Sequence, residues 1–137
     1  MKKYSAKEID KFIEKLDFSK IEGGIVPVIA QDYKTNQILM LAFANEEAVR
    51  QSLETGIVCY YSRSRQKLWK KGEESGHIQE IQQVFVDCYN DTILFKVKQK
   101  VAACHTGFYS CFYREYVNGE FKIHGKPIFD PDKVYKK

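Results

Sequence analysis

The chain has 137 residues, of which 44% are hydrophobic, 14% aromatic and 29% charged, and its formal net charge is +4. This balance excludes an intrinsically disordered chain, and the length predicts one domain, residues 1–137, that is large enough to bury a core. No apolar run approaches the roughly 20 residues that span a bilayer, and the N-terminus lacks the apolar core of a signal peptide. We therefore expect a cytoplasmic protein with reduced thiols and no membrane partner.

The first third of the chain predicts one helix and two strands. Ser5 opens a capping box, and apolar residues follow it at helical spacing, which predicts an amphipathic helix over residues 5–17. Residues 25–31 and 37–43 predict two strands around a polar turn. Because proline cannot donate to a sheet ladder, Pro27 indicates that the first strand lies at an edge or begins irregularly.

The next segment predicts a second helix, a short strand and a long loop. Asn45 is placed as the N-cap of a helix that runs to Thr55 and stops at Gly56. Residues 57–61 predict a short apolar strand. Residues 62–78 have no clear period, and a polar loop of this length is typically functional or disordered.

Two hairpins complete the predicted elements. Residues 80–86 and 92–98 form the first, and residues 111–117 and 120–123 form the second around Asn-Gly, a strong hairpin signal. The tail from Pro127 is predicted to be loosely attached surface chain. Together the elements predict an α+β fold with a mainly antiparallel sheet and two helices.

Three of the four cysteines lie in two short windows, Cys88 in the turn of the first hairpin and Cys104 and Cys111 after its second strand. Three thiolates would suit zinc and leave a fourth position open for water, which is typical of a catalytic site. The six-residue gap between Cys104 and Cys111 is longer than a zinc knuckle and is equally compatible with buried core thiols. Cys59 lies in an apolar strand and is predicted to be a core thiol.

Groups beside these cysteines add candidate chemistry. His105, adjacent to Cys104, is the strongest acid–base candidate because histidine titrates near neutral pH. Asp87 and Asp91 flank Cys88, where they suit ordinary turn chemistry or, alternatively, an oxygen site for magnesium.

Residues 63–71 place five basic side chains around the single tryptophan. Such a segment is typical of a solvated loop, but an aromatic ring among arginines can also stack on a base while the cations hold phosphates. A free nucleotide and an RNA strand both satisfy this chemistry. The candidate ligand-binding residues here and in the flexible segment that follows are Arg63, Ser64, Arg65, Lys67, Trp69, Lys70, Ser75 and His77.

Taken together, these windows resemble the phosphoribosyl-AMP cyclohydrolase family over residues 23–115. The matching motifs are Gln31-Asp32, Leu39 to Ala42, Tyr61 to Lys70, Lys71-Gly72, Ser75 to His77, Asp87-Cys88, Cys104 to Gly107 and Ser110 to Tyr113. The family opens the adenine ring of 1-(5-phosphoribosyl)-AMP at the N1–C6 bond, the third step of histidine biosynthesis. On this resemblance residues 23–115 are the core, preceded by the helix at 5–17 and followed by a hairpin and tail at 111–137.

The resemblance implies a zinc-dependent cyclohydrolase in which a zinc-bound hydroxide attacks the ring. Zinc would be held by Cys88, Cys104 and Cys111, with Cys88 supplied by the opposite subunit of a homodimer. The zinc site would therefore lie at the dimer interface. His105 would be the general acid–base residue, and the basic loop would hold the two phosphoribosyl groups of a small nucleotide.

The resemblance also implies magnesium at Asp87 and Asp91. The family pattern at this turn is Asp-Cys-Asp-x-Asp, so Tyr89 stands where a further magnesium carboxylate is expected, and position 89 is counted as a candidate contact. Two alternatives stay open. One is a small nucleic-acid-binding module with a structural zinc, and the other is a homologue with impaired activity. The leading hypothesis has no nucleic-acid partner.

Overall fold

A computed structural model describes residues 1–135, and a four-stranded sheet forms its centre. The elements in chain order are α1 (Ala6–Lys15), β1 (Ile25–Asp32), β2 (Ile38–Asn45), α2 (Glu46–Thr55), β3 (Cys59–Ser62), β4 (Lys67–Lys70), β5 (Gln79–Val86), β6 (Ile93–Gln99), β7 (Arg114–Val117), β8 (Glu120–Ile123) and α3 (Pro131–Val134). The central sheet has the order β2-β1-β6-β5, and β3–β4 and β7–β8 form separate two-stranded sheets. The predicted α+β class is confirmed.

Most strand pairs are antiparallel, as predicted, but β1 and β6 run parallel. This places β1 inside the sheet, so the interpretation of Pro27 as a sign of an edge strand is wrong. The reason lies in the register, since Pro27 pairs with Phe43 of β2 whereas pairing with β6 begins only at Val28. Pro27, which has no N–H group to donate, therefore lies one residue before the point where β1 begins to pair with β6.

Both predicted helices form where their caps place them. The Ser5 side chain accepts from the Glu8 amide while Glu8 accepts from the Ser5 amide, which completes the capping box of α1. The Asn45 carboxamide accepts from the Ala48 amide at 2.9 Å, and Gly56 ends α2 in the left-handed conformation. Helix α2 packs against α1, β2 and β3.

The hydrophobic core lies on the inner face of the central sheet. The predicted alternation in β6 is confirmed, since Ile93, Phe95 and Val97 are fully buried. Cys59 is also buried, as expected for a core thiol. Over residues 1–135 no helix has the length and apolar character needed to cross a membrane.

Two segments predicted to lack structure are ordered. Residues 67–70, inside the predicted long loop, form β4 and pair with β3 so that Trp69 faces Tyr60. Four-residue strands are too short to show a period, and contact with the preceding strand decides their conformation. The tail adds a third helix, α3, capped by Asp130, and the Ile128 amide just before it bonds to the Gly107 carbonyl.

Candidate active site

The loop at residues 103–111 carries two of the predicted zinc ligands and is fixed by backbone hydrogen bonds. The amide of Ala103 donates to the Tyr109 carbonyl at 2.9 Å, which closes the loop on itself. The amide of Cys111 donates to the Leu39 carbonyl at 2.7 Å, which ties the loop to β2. The main chain around Cys111 is therefore held by the central sheet.

A buried carboxylate anchors the same loop to the turn after β1. The Tyr109 hydroxyl donates to Asp32, and the amides of Lys34 and Thr35 donate to its other oxygen at 2.8 and 3.1 Å. Burial alone would raise the pKa of Asp32, but the hydrogen bonds from Tyr109 and from the turn outweigh it and lower that pKa. Asp32 is thus a charged anchor for the loop.

The thiol of Cys104 lies close enough to that of Cys111 to raise the pKa of Cys111. Cys111 as a residue is exposed, yet nearby atoms surround its thiol, and burial followed by the charge of Cys104 raises the pKa of Cys111 to about 12, which Lys71 partly offsets. Cys104 is buried, and its sulfur lies 2.9 Å from the Thr106 hydroxyl. Two neighbouring sulfurs of this kind are soft donors, and a bound soft cation would favour their thiolate forms.

Lys71 is a site residue that the sequence reasoning missed. Its side chain is buried, and its Nζ donates to the Ala103 carbonyl at 2.5 Å, directly before Cys104. Burial lowers the pKa of Lys71, whereas the charges of Cys111 and Cys104 raise it. The signal was present in the sequence, because Lys71 belongs to one of the motifs that carried the family resemblance.

A cleft of about 560 Å³ opens beside the thiol pair. The predicted site residues that line it are Arg65, Trp69, Lys70, Ser75, His105 and Cys111. Lining residues that the sequence reasoning did not assign include Met40, Lys71, Glu73 and Tyr135. The cleft thus brings basic side chains, an aromatic ring, an exposed histidine and a thiol together.

The tryptophan of the cleft is positioned by a buried polar network. The Trp69 ring packs on Tyr60 with centroids 4.9 Å apart and an interplanar angle of 34°. The Tyr60 hydroxyl donates to Gln79 at 2.7 Å, and Gln79 in turn donates to Gln99 at 2.8 Å. Burial raises the pKa of Tyr60, so the phenol stays neutral and can act as a donor.

Three other residues of the basic loop lie outside the cleft lining. The Arg63 guanidinium stacks over the Phe43 ring at 4.8 Å from its centroid. The Ser64 hydroxyl lies 3.3 Å from that of Ser62, and Lys67 is exposed at the start of β4. Their predicted role in ligand binding stays a prediction.

His77 is buried beside the cleft. Its ring meets the edge of Phe129 with centroids 4.7 Å apart, and within residues 1–135 its Nδ1 has no hydrogen-bond partner. Burial, followed by the charges of Lys71 and Lys100, lowers the pKa of His77. A neutral ring that packs on an aromatic side chain is the role that this geometry supports.

The third predicted zinc ligand lies apart from the other two. Cys88 is exposed in the turn between β5 and β6. Within one copy of the chain, over the residues that the structure describes, no three His, Cys, Asp or Glu side chains gather as a metal site. Cys88 therefore does not complete the pair formed by Cys104 and Cys111 of its own chain.

The predicted magnesium residues are engaged inside the same turn. Asp87 accepts from the amides of Asp91 and Thr92 at 3.0 and 3.2 Å, which is the turn chemistry expected of an aspartate. The Asp91 carboxylate pairs with the Lys20 ammonium at 3.1 Å, and this ammonium lies 5.3 Å from the centre of the Tyr89 ring. Because magnesium prefers several oxygen ligands, these donors of a single chain do not fit it well.

The chain is a small α+β domain whose cleft is lined by basic and aromatic side chains, a surface that suits a phosphorylated small molecule. A family model described as phosphoribosyl-AMP cyclohydrolase matches residues 40–113, more than half of the chain. The chain belongs to the phosphoribosyl-AMP cyclohydrolase family.

Individual relatives extend the likeness over most of the chain. A phosphoribosyl-AMP cyclohydrolase of Desulforapulum autotrophicum is 55% identical over 123 residues, which are 88% of this chain and 98% of the relative. One from Methanospirillum hungatei is 57% identical over 116 residues, 85% of this chain and 86% of the relative. The histidine biosynthesis bifunctional protein HisIE of Thermoanaerobacter pseudethanolicus is 51% identical over 128 residues, 93% of this chain and 58% of that protein.

Proposed function

We propose that this protein hydrolyses the N1–C6 bond of the adenine ring in 1-(5-phosphoribosyl)-AMP, the ring-opening step of histidine biosynthesis. The observation that carries the proposal is that one cleft gathers Arg65, Trp69, Lys70, His105 and Cys111, all within the segment that matches the family. Water attacks carbon 6, the bond to nitrogen 1 breaks, and a carboxamide forms at the former ring carbon.

The size and charge of the cleft suit such a nucleotide. A volume of about 560 Å³ lies within the range of small-molecule sites. Arg65 and Lys70 are placed to hold phosphate oxygens, and a guanidinium can do so with two parallel hydrogen bonds. Trp69 offers a ring face to the purine, which is the usual way in which proteins bind a base without pairing it.

The zinc proposal rests on the donor set. Zinc would be held by Cys104 and Cys111 together with Cys88 of a second subunit. Bound zinc would supply Lewis acidity, which lowers the pKa of water to about 7 and so provides a nucleophile at neutral pH. Cys104 raises the pKa of the Cys111 thiol, an effect that a bound cation would offset, and the buried Lys71 would balance the excess negative charge of three thiolates.

The homodimer proposal rests on the surroundings of Cys88. The Cys88 thiol is exposed in this turn. Three exposed apolar side chains lie beside it in the chain, those of Phe85, Val86 and Tyr89. An apolar exposed patch of this kind is typical of a protein interface. A second copy of the chain that covers the patch would bring its Cys88 to the thiol pair of the first.

His105 is proposed as the acid–base residue. It is exposed to the cleft directly after Cys104, where its imidazole nitrogens can accept and donate a proton. It would accept a proton from the attacking water and return one to nitrogen 1 as the ring opens.

No step requires magnesium, and the metal at Asp87 and Asp91 stays a prediction. Four free thiols suit the reducing cytoplasm, where we propose that the enzyme works.

The test measures turnover of 1-(5-phosphoribosyl)-AMP and zinc per subunit in the wild type, Cys104→Ser and Cys111→Ser. Both variants are expected to lose zinc and turnover together. Cys59→Ala is the matched control, because this thiol is buried in the core and is expected to leave zinc content unchanged. Full activity in Cys104→Ser would exclude the zinc role, and background turnover in a zinc-loaded wild type would indicate an impaired homologue.

A further inference from the structure

The C-terminal segment, residues 127–135, forms part of the cleft although it lies beyond the region matched by the family model. Tyr135 lines the cleft together with His105 and Cys111. The segment ends in α3, where the Asp130 side chain caps the helix and the Tyr135 amide donates to the Pro131 carbonyl at 2.8 Å. These bonds fix the main chain that carries Tyr135.

The segment is seated on the loop that carries the thiols. The Ile128 amide donates to the Gly107 carbonyl at 2.8 Å. Gly107 has φ of +101°, and a Cβ at this position would lie 2.6 Å from the Phe129 carbonyl oxygen. Only glycine permits both this backbone conformation and the close approach of the segment. The glycine in the Cys104–Gly107 motif therefore makes room for the C-terminal segment.

Phe129 links the segment to the other side of the cleft. Phe129 is half-buried, whereas its neighbours Ile128 and Asp130 are exposed. It contacts His77 at 4.7 Å between ring centroids and Tyr135 at 6.2 Å. His77 follows the segment from Gly72 to Ser75 that lines the cleft. Phe129 thus connects the loop that ends in His77 with the loop that contains Gly107.

We propose that the C-terminal segment completes the substrate site, with Phe129 positioning it and the Tyr135 ring contacting the nucleotide. The inference rests on the proposed function and adds a substrate contact to it. A row of aromatic rings runs from the buried His77 through Phe129 to Tyr135 at the cleft, and such a ring can pack against a base or a ribose. Tyr135 is assigned a binding role, and Phe129 is a positioning residue.

The first experiment compares kcat and KM for the wild type, Tyr135→Ala and Tyr135→Phe. Loss of one aromatic contact to a base predicts a rise in KM of about tenfold in Tyr135→Ala with kcat nearly unchanged. Tyr135→Phe keeps the ring and should keep the wild-type KM. The matched control is Tyr116→Ala, an exposed tyrosine on β7 that does not line the cleft. An unchanged KM in Tyr135→Ala, or an equal rise in Tyr135→Phe, would overturn the ring contact.

The second experiment does not depend on turnover. Hydrogen exchange is compared in the wild type and Phe129→Ala, with Phe121→Ala on the exposed hairpin as the control. Loss of the Phe129 link should speed exchange at residues 72–77 and at 104–108, while β1 and β6 keep their protection and show that the variant is folded. Unchanged exchange in both loops would overturn the positioning role. If the wild type lacks turnover but Phe129→Ala loosens both loops, the proposed function fails while the link remains.

Discussion

At the scale of single residues, a buried lysine lies beside the two thiols that we propose as zinc ligands. The Lys71 ammonium is fixed by its bond to the Ala103 carbonyl and contributes a positive charge close to Cys104 and Cys111. Zinc with three thiolates has a net negative charge, so removal of the ammonium should weaken metal binding. This electrostatic contribution differs from ligation, because Lys71 need not touch the metal.

Lys71→Met is expected to raise the dissociation constant for zinc by about tenfold, since a charge interaction at a buried position of this kind contributes roughly 1–2 kcal/mol. Competition with a chromophoric chelator measures the constant directly. Lys122→Met, at an exposed position of β8, is the control and should bind zinc like the wild type. Equal affinities in both variants would contradict the role of Lys71.

The lowered pKa of Asp32 predicts that the free energy of unfolding depends on pH. Its pKa in the folded state is lowered below the usual value of 3.8, so its stabilising effect is present above that pH and is lost as the pH falls through the folded pKa. Asp32→Asn should therefore reduce the free energy of unfolding by about 1–3 kcal/mol near neutral pH, with a smaller difference at the lowest pH reached. Urea denaturation between about pH 3 and 7 measures this difference. Asp10→Asn is the control, because Asp10 forms an exposed ion pair, and it should change the free energy of unfolding little. If Asp32→Asn lowered the free energy of unfolding by the same amount at every pH, the charge of Asp32 would not be the cause.

At the scale of elements, helix α2 shows how local chemistry fixes a boundary. Its first turn has an amide satisfied by the Asn45 side chain, so Asn45→Ala should lower the free energy of unfolding by about 1 kcal/mol. Glu54→Ala, exposed in the last turn of the same helix, is the control and is expected to change stability by only a few tenths of a kcal/mol. Chemical denaturation monitored by circular dichroism compares them, and equal losses would mean that the cap contributes nothing specific.

The elements also show which patterns could be predicted from sequence. The capping residues of α1 and α2 act within a few positions of the helices that they begin, so both helices were predicted nearly to their ends. The alternation in β6 was equally visible, because one face of the strand is buried. Strand β4 was missed because it depends on a contact between Trp69 and Tyr60 rather than on its own four residues.

At the scale of the whole molecule, the separation of Cys88 from the thiol pair provides a test of the shared zinc site. Cys88→Ser and Cys104→Ser should each be inactive alone, because every site in either homodimer lacks one ligand. After mixing and subunit exchange, a mixed dimer has one site with all three cysteines, and about a quarter of wild-type turnover should return. A mixture of Cys104→Ser and Cys111→Ser is the control and should stay inactive, since both residues act from the same chain. Failure of the first mixture to recover, with exchange demonstrated, would exclude the shared site.

The α+β class, the caps of both main helices and the hairpin of β5 and β6 could be predicted from the sequence, because they depend on contacts between neighbours or on the alternation of a half-buried strand. The Asn-Gly turn of the second hairpin was also predicted, but its first strand begins at Arg114 and not at residue 111. Only some of the cleft residues were predicted, among them Trp69, His105 and Cys111. Tertiary structure decided that β1 is an inner strand, that Lys71 lies buried beside the thiols and that the C-terminal segment contacts the cleft. Each of these depends on contacts between residues far apart in the chain, such as Phe129 with His77, which leave no local period or cap to detect.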